Sequence, residues 1–239
     1  MSNDLNIVVI GASGALGSEF VSQFAGDANV KNIFAFSRSQ VKWENEKIKS
    51  YFIDIEDEES IKEAAEKCDQ IIDIVVVATG ILHCDQLMPE KSLRELNKNK
   101  FVKVFEINAV GPAIIAKYFL PKLNRKRKSI FSAISARVGS ISDNKLGGWY
   151  SYRASKSALN MILKNAAIEL SRSNKNAIVI GLHPGTVDSD LSKPFQGAVK
   201  ENKLFSPNYS VTKMREVLQK VEHLDSGLLI DFNNIKISF

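Results

Sequence analysis

The sequence has few metal-binding and cross-linking residues. It carries two cysteines and three histidines in 239 residues. Neither Cys68 nor Cys84 stands in a metal-ligand pattern, and no Cys-x-x-Cys occurs, so no metal site is expected and both thiols read as reduced. No apolar run is long enough to span a bilayer. The first strand already reads from Asn6, so no leader peptide is expected, and the expected location is cytoplasmic. Charge of one sign is also scarce, the net being +5. The one basic cluster, Arg125-Lys126-Arg127-Lys128, lacks an aromatic platform or a nucleic-acid motif and reads as a solvated turn. Neither a nucleic acid nor a membrane is expected as a partner. No repeat, linker or low-complexity stretch divides the chain, so residues 1–239 read as one domain. A hydrophobic content of 44% and a charged content of 25% are ordinary for a globular protein with a sizeable core.

What is present is an alternation of strands and helices. Strands read over Asn6–Ile10, Asn32–Phe36, Ser50–Ile53, Ile71–Ala78, Ser129–Ile134, Ala177–Leu182 and Gly227–Ile230. Helices read over Leu16–Ala25, Glu58–Lys67, Asn99–Leu123 and Tyr150–Ser171, with a break in the third near Gly111-Pro112. The unbroken apolar run from Ile71 suits a strand buried on both faces. The pattern predicts an α/β fold: a Rossmann-type, doubly wound parallel sheet of about seven strands with helices on both faces. Residues 189–208 lack periodicity and follow a strand end, where ligands bind in such sheets. They read as a loop covering a substrate.

Gly11, Gly14 and Gly17 lie between the first strand and the first helix. In that context glycines permit a tight turn and a close approach of pyrophosphate to the helix N-terminus. The second strand ends in Ser37-Arg38-Ser39, with no carboxylate to hold the ribose hydroxyls of NAD. A guanidinium flanked by hydroxyls suits a 2′-phosphate, which favours NADP(H) over NAD(H). Asp54 is placed to accept from an adenine amino group, or else to cap a helix. Tyr152 and Lys156 are four residues apart, on one helical face. A neighbouring ammonium would lower the phenol's pKa toward a value useful for proton transfer.

These motifs together resemble the short-chain dehydrogenase/reductase family over essentially the whole chain. The order carries the resemblance: the glycine turn, Asn108 in Ile-Asn-Ala-Val-Gly-Pro, Ser135 in Ala-Ile-Ser-Ala-Arg-Val-Gly, Tyr152 with Lys156, and Pro184-Gly185-Thr186-Val187. In Ser-Ala-Arg-Val-Gly-Ser and Gly-Gly-Trp-Tyr-Ser-Tyr-Arg-Ala-Ser-Lys the chain is similar to the family's C-factor (C-signal) branch. It departs from the family in three places. The glycine spacing is Gly-x-x-Gly-x-x-Gly, Val-Ala-Thr-Gly replaces Asn-Asn-Ala-Gly, and the gap from Ser135 to Tyr152 is long, as if residues 143–146 were inserted. That leaves Ser132 and Ser140 as other serines to weigh.

The resemblance implies a hydride-transfer oxidoreductase that reduces a carbonyl or oxidises an alcohol. It makes Tyr152 the general acid or base, with Lys156 holding the nicotinamide ribose. Ser135 would stabilise the substrate oxygen, and Asn108 would hold a water on a proton path. The implied cofactor contacts add Ser13, Ala15, Leu16, Ile55, Ala78, Thr79, Gly80 and Val187 to the residues already named. The family also implies a homodimer or homotetramer through the two long helices. Tyr150, Tyr209, His83 and His183 are competitors for a direct role. Leu82, Leu146, Trp149, Leu191 and Phe195 suggest a fairly apolar substrate pocket. A non-enzymatic nucleotide-binding regulator or signalling protein on the same fold is the alternative function.

Overall fold

The computed structural model describes residues 4–198 and 201–239. Its strands are β1 Leu5–Ile10, β2 Val30–Ser37, β3 Ile48–Phe52, β4 Ile74–Val77, β5 Ser129–Ile134, β6 Ala177–His183, β7 Thr186–Val187, β8 Leu204–Phe205, β9 Leu229–Asp231 and β10 Lys236–Ile237. Eight of them form one sheet in the order β10-β9-β6-β5-β4-β1-β2-β3, and β7 pairs separately with β8. All neighbours in the large sheet are parallel except β9 and β10, which are antiparallel. The doubly wound fold read from the sequence is therefore present, with one strand more than expected. That strand, β10, is a two-residue edge strand, too short to leave a periodic signal.

Runs such as Ile-Val-Val-Ile in β1 and Ile-Val-Val-Val in β4 form central strands because both sheet faces are covered. One face packs Phe36, Phe119, Phe131, Leu159 and Leu163 against α2 Glu58–Lys67, α4 Gly111–Phe119 and α5 Tyr150–Leu170. The other packs Ile7, Val9, Ile33 and Val76 against Phe20 and Phe24 of α1 Ala15–Ala25 and Val211, Met214 and Val217 of α6 Pro207–Lys220. Helix α6 lies beyond the elements read from sequence. Ser206 caps it, accepting from the Tyr209 N–H at 3.1 Å, and Pro207 opens its first turn.

The expected long helix is split into α3 Lys98–Phe105, a π-helical turn Glu106–Val110 and α4. Pro112 has no N–H to give the carbonyl four residues back, that of Asn108. The ladder relaxes there, and Gly111 N–H bonds to Glu106 O, five residues back.

The basic turn is not simply solvated. Arg127 grips Asp73, which is 1% exposed, with Nε at 2.7 Å and Nη2 at 2.8 Å. Asn6 N–H and Asn124 Nδ2 satisfy the same carboxylate. The pair ties the start of β4 to the entry of β5. Among the described residues no helix is long and apolar enough to cross a membrane.

Candidate active site

The start of α5 is built by an unusual turn. Gly147 and Gly148 have φ of 64° each and Trp149 a φ of 50°, a left-handed run that glycine tolerates and tryptophan does not prefer. This turn occupies the long gap before Tyr152. Buried Glu90 anchors it, its Oε2 accepting from Ser151 N at 3.1 Å and Ser151 Oγ at 2.9 Å. A carboxylate at a helix N-terminus satisfies free N–H groups and suits the dipole. On the opposite side Gly139 presses against α5. A Cβ there would lie 2.8 Å from the Cβ and carbonyl carbon of Lys156, so only glycine permits the contact.

Tyr152 and Lys156 are thereby fixed on the buried side of α5, at 8% and 3% exposure. Lys156 Nζ donates to Ile134 O at 2.9 Å and stands 5.8 Å from the centre of the Tyr152 ring. Burial pushes the Tyr152 phenol up to about 12 and the Lys156 ammonium down to about 8. The expected lowering of the phenol by the ammonium is therefore not found. Both groups leave water together, and desolvation outweighs their attraction. The phenol is held in its acid form, which suits donation of a proton. The Trp149 ring stands edge-on to Tyr152 at 6.1 Å.

Asn108 lies on the π-helical turn with no exposed surface. Its side chain exchanges two hydrogen bonds of 2.8 Å with the backbone of Ile81 and reaches Ser155 Oγ at 3.2 Å. It is next to the site, not in its wall. A Cβ on Gly80 would sit 3.4 Å from Asn108 Oδ1 and 3.6 Å from Lys156 Nζ.

Ser135 differs from expectation. The residue borders the cavity, but it is 2% exposed and its hydroxyl donates to Asn160 Oδ1 at 2.7 Å. Strand alternation at the end of β5 turns it toward α5 and leaves Ala136 beside the cavity. The other serines are engaged too. Ser132 donates to Val75 O, and Ser140 Oγ accepts from Asp143 N–H.

Tyr152 and Lys156 open onto a cavity of about 460 Å³. Ser13, Gly14, Ala15, Leu16, Ala78, Thr79, Gly80, Pro184, Gly185, Thr186 and Val187 line it, with Leu82, Val138, Trp149, His183, Leu191 and Phe195 as further walls. Ser13, Gly14, Ala78, Thr79 and Gly80 also line an adjoining groove of about 300 Å³ that holds Ser37, Arg38, Ser39 and Ile55. The two together run along the carboxyl ends of β1 and β4, where the strand order reverses.

Several features fit a dinucleotide there. Gly11 has a φ of 89°, and a Cβ on Gly17 would overlap Gly11 O, so Gly17 serves the close packing of the turn. A Cβ on Gly14 would meet only Gly11 O, at 3.4 Å, which leaves the helix N-terminus approachable. Thr79 Oγ1 is buried and has no partner among the described residues. An orphaned hydroxyl at the junction of the two cavities is a place for a ligand's polar group.

Several residues singled out from the sequence are not among the walls. Asp54 Oδ1 accepts from Glu56 N–H, and the helix cap is Asp57 instead. Leu146 is 90% exposed. Tyr209 stacks on Phe205 and meets Phe232 edge-on and does not line the cavity. Of the span 189–208, Ser189 to Ser192 and Phe195 line the cavity, and residues 199 and 200 lie outside the described residues. Phe195 packs on Trp149 at 5.0 Å and on His83 at 5.7 Å, and His83 Nε2 is 2.9 Å from Asp190 O. His83 thus holds the cover. Sequence reasoning missed Glu90 and Asn160, whose partners are distant in sequence. It also missed Glu56, which lines the groove and meets Arg38 at 3.8 Å.

Comparison with known proteins gives the family and the fold. The chain is 32% identical over 148 residues to a 1-hydroxy-2-glutathionyl-2-methyl-3-butene dehydrogenase of Rhodococcus sp. strain AD45, the match covering 61% of each protein. It is 27% identical over 176 residues to C-signal of Myxococcus xanthus, covering 73% of this chain and 96% of that one. Its fold matches that of an NADPH-bound carbonyl reductase from chicken fatty liver, with a TM-score of 0.85, 22% identity and 99% of each chain covered. The family model for short chain dehydrogenases matches residues 5–199. The protein with this buried Tyr–Lys pair belongs to the short-chain dehydrogenase family of oxidoreductases.

Proposed function

We propose that the protein is an NADP(H)-dependent oxidoreductase that reduces a small carbonyl compound or oxidises the corresponding alcohol. The observation that carries this reading is the buried Tyr152–Lys156 pair at the floor of a cavity continuous with a glycine-lined groove. Bound NADPH supplies a hydride; the protein supplies geometry and protons. Tyr152, kept neutral by burial, donates its phenolic proton to the carbonyl oxygen. Lys156, anchored on Ile134 O, is placed to hold the nicotinamide ribose and to pass a proton to the phenol. Asn108 positions the Ile81 backbone, and its own carbonyl, to which Pro112 has no N–H to give, is a site for a relay water. Gly185, Thr186 and Val187 would hold the carboxamide, and Thr79 Oγ1 is available to the dinucleotide.

Arg38 and the serines beside it support the 2′-phosphate form of the cofactor. The chicken carbonyl reductase with bound NADPH points the same way. Leu82, Trp149, Leu191 and Phe195 favour an apolar or aromatic carbonyl. The similarity to C-signal is what favours the regulatory alternative. A binding protein, however, has no use for a phenol and an ammonium buried together. Incubating the protein with NADPH and a panel of aromatic aldehydes and ketones, with NADPH absorbance followed, tests the reading. Consumption dependent on both components supports it, and a protein that binds NADPH but turns over nothing supports the regulator.

A further inference from the structure

The reacting oxygen of a carbonyl needs a second hydrogen-bond donor besides the proton donor, because negative charge develops on it. Ser135 was expected in that role, and its hydroxyl is committed to Asn160. Ala136, which borders the cavity, offers only a methyl group.

His183 is the neighbouring group. It ends β6 beside β5, where Ile134 pairs with Leu182 and Ser135 N–H donates to Leu182 O at 2.8 Å. It lines the same cavity as Tyr152 and Ala136. Its Nδ1 is buried and has no partner among the described residues. A neutral imidazole has one N–H and one bare nitrogen. A buried N–H without an acceptor is the costlier of the two to leave unmade. The bare nitrogen is therefore Nδ1, and the proton is on Nε2. Burial and the Arg137 charge, opposed by Asp231, hold the ring neutral, with a pKa down at about 4.

We infer that His183, through Nε2–H, is the catalytic hydrogen-bond donor to the substrate oxygen in place of Ser135; this rests on the carbonyl reductase reading above. In the reaction the carbonyl carbon takes the hydride and the oxygen takes the Tyr152 proton. His183 keeps its own proton and stabilises the developing charge.

Two measurements test this. Long-range proton–nitrogen correlation spectra of ¹⁵N-labelled protein near pH 7, with only three histidines to assign, should show His183 neutral with its proton on Nε2. A proton on Nδ1, or a charged ring, overturns the inference. In the second, NADPH-dependent reduction of 4-nitrobenzaldehyde is compared across variants. His183→Phe should lower kcat about 10²-fold and leave NADPH affinity within about twofold. His183→Gln should recover part of the loss through its carboxamide N–H, and Ser135→Ala should lose less than His183→Phe. The reverse ranking overturns the inference. A wild type that turns over no carbonyl removes the parent reading and this one with it. A wild type inactivated by Tyr152→Phe but not by His183→Phe overturns this one alone.

Discussion

Replacing Lys156 by methionine should make the protein more stable while removing its activity. The ammonium is 3% exposed, and burial lowers its pKa from 10.5 to about 8. Each pKa unit is worth about 1.4 kcal/mol, so holding the charged form near pH 7 costs about 3 kcal/mol. Methionine fills a similar volume without charge. It leaves Ile134 O without its donor, a loss of about 1–2 kcal/mol. The balance favours Lys156→Met by about 1–2 kcal/mol, or a rise of about 2–8 °C in Tm for a chain of this size. The sign follows from proton binding. Between about pH 8 and 10.5 the unfolded chain binds more protons at this site than the folded one, so wild-type stability rises with pH there. The advantage of the variant should therefore shrink across that window. Tyr152, raised to about 12, opposes this trend above its ordinary value of 10, but it does so in both proteins and cancels in the difference. Thermal unfolding followed by circular dichroism from about pH 7 to pH 10 reads both effects. A variant less stable than wild type near neutrality, or a gap that does not change with pH, would refute the reasoning.

Other outcomes follow from the same geometry. NADPH should bind at least about tenfold tighter than NADH, a preference that Arg38→Ala removes and added salt weakens. Because Glu56 meets Arg38 at 3.8 Å, Glu56→Gln should tighten NADPH binding and leave NADH nearly unchanged; fluorescence titration of both cofactors decides. Asp73→Ala should cost about 1–3 kcal/mol in denaturant unfolding, since it takes the shared acceptor from Arg127, Asn124 and the Asn6 N–H, while water screens the unpaired Arg127 charge. Val102, Val110, Met161 and Ile168 are exposed apolar residues on the two long helical segments. Light scattering is expected to give a multiple of the 26.5 kDa chain mass, and Met161→Glu should shift it toward the monomer.

The parallel core was legible because its strands are continuous apolar runs and its helices carry capping residues and breaks. Gly11, Gly14 and Gly17 announced a tight strand-to-helix turn, and the structure leaves no room for a Cβ on Gly17. The helix break at Gly111-Pro112 was visible as a missing N–H, though its form, a π turn that carries Asn108, was not. Helix α6 carried a readable signal in Ser206-Pro207 and in Val211, Met214 and Val217, but it follows a segment without periodicity. The details of the site were less legible because they depend on which way a side chain turns at a strand end. One residue separates Ser135, bonded to Asn160, from Ala136 beside the cavity. Glu90 and Glu56 act through partners distant in the chain, and no local pattern marks them. The direction of the Tyr152 pKa was misjudged because spacing shows proximity but not the depth of burial.

The most direct test of the account is Tyr152→Phe. The phenyl ring keeps the packing against Trp149 and removes only the hydroxyl that carries the acidic proton. NADPH-dependent reduction of the best carbonyl probe should fall by about 10²–10⁴-fold while the NADPH dissociation constant stays within about twofold of wild type. A variant that keeps more than about half of the wild-type rate would contradict the assignment of Tyr152 as the proton donor.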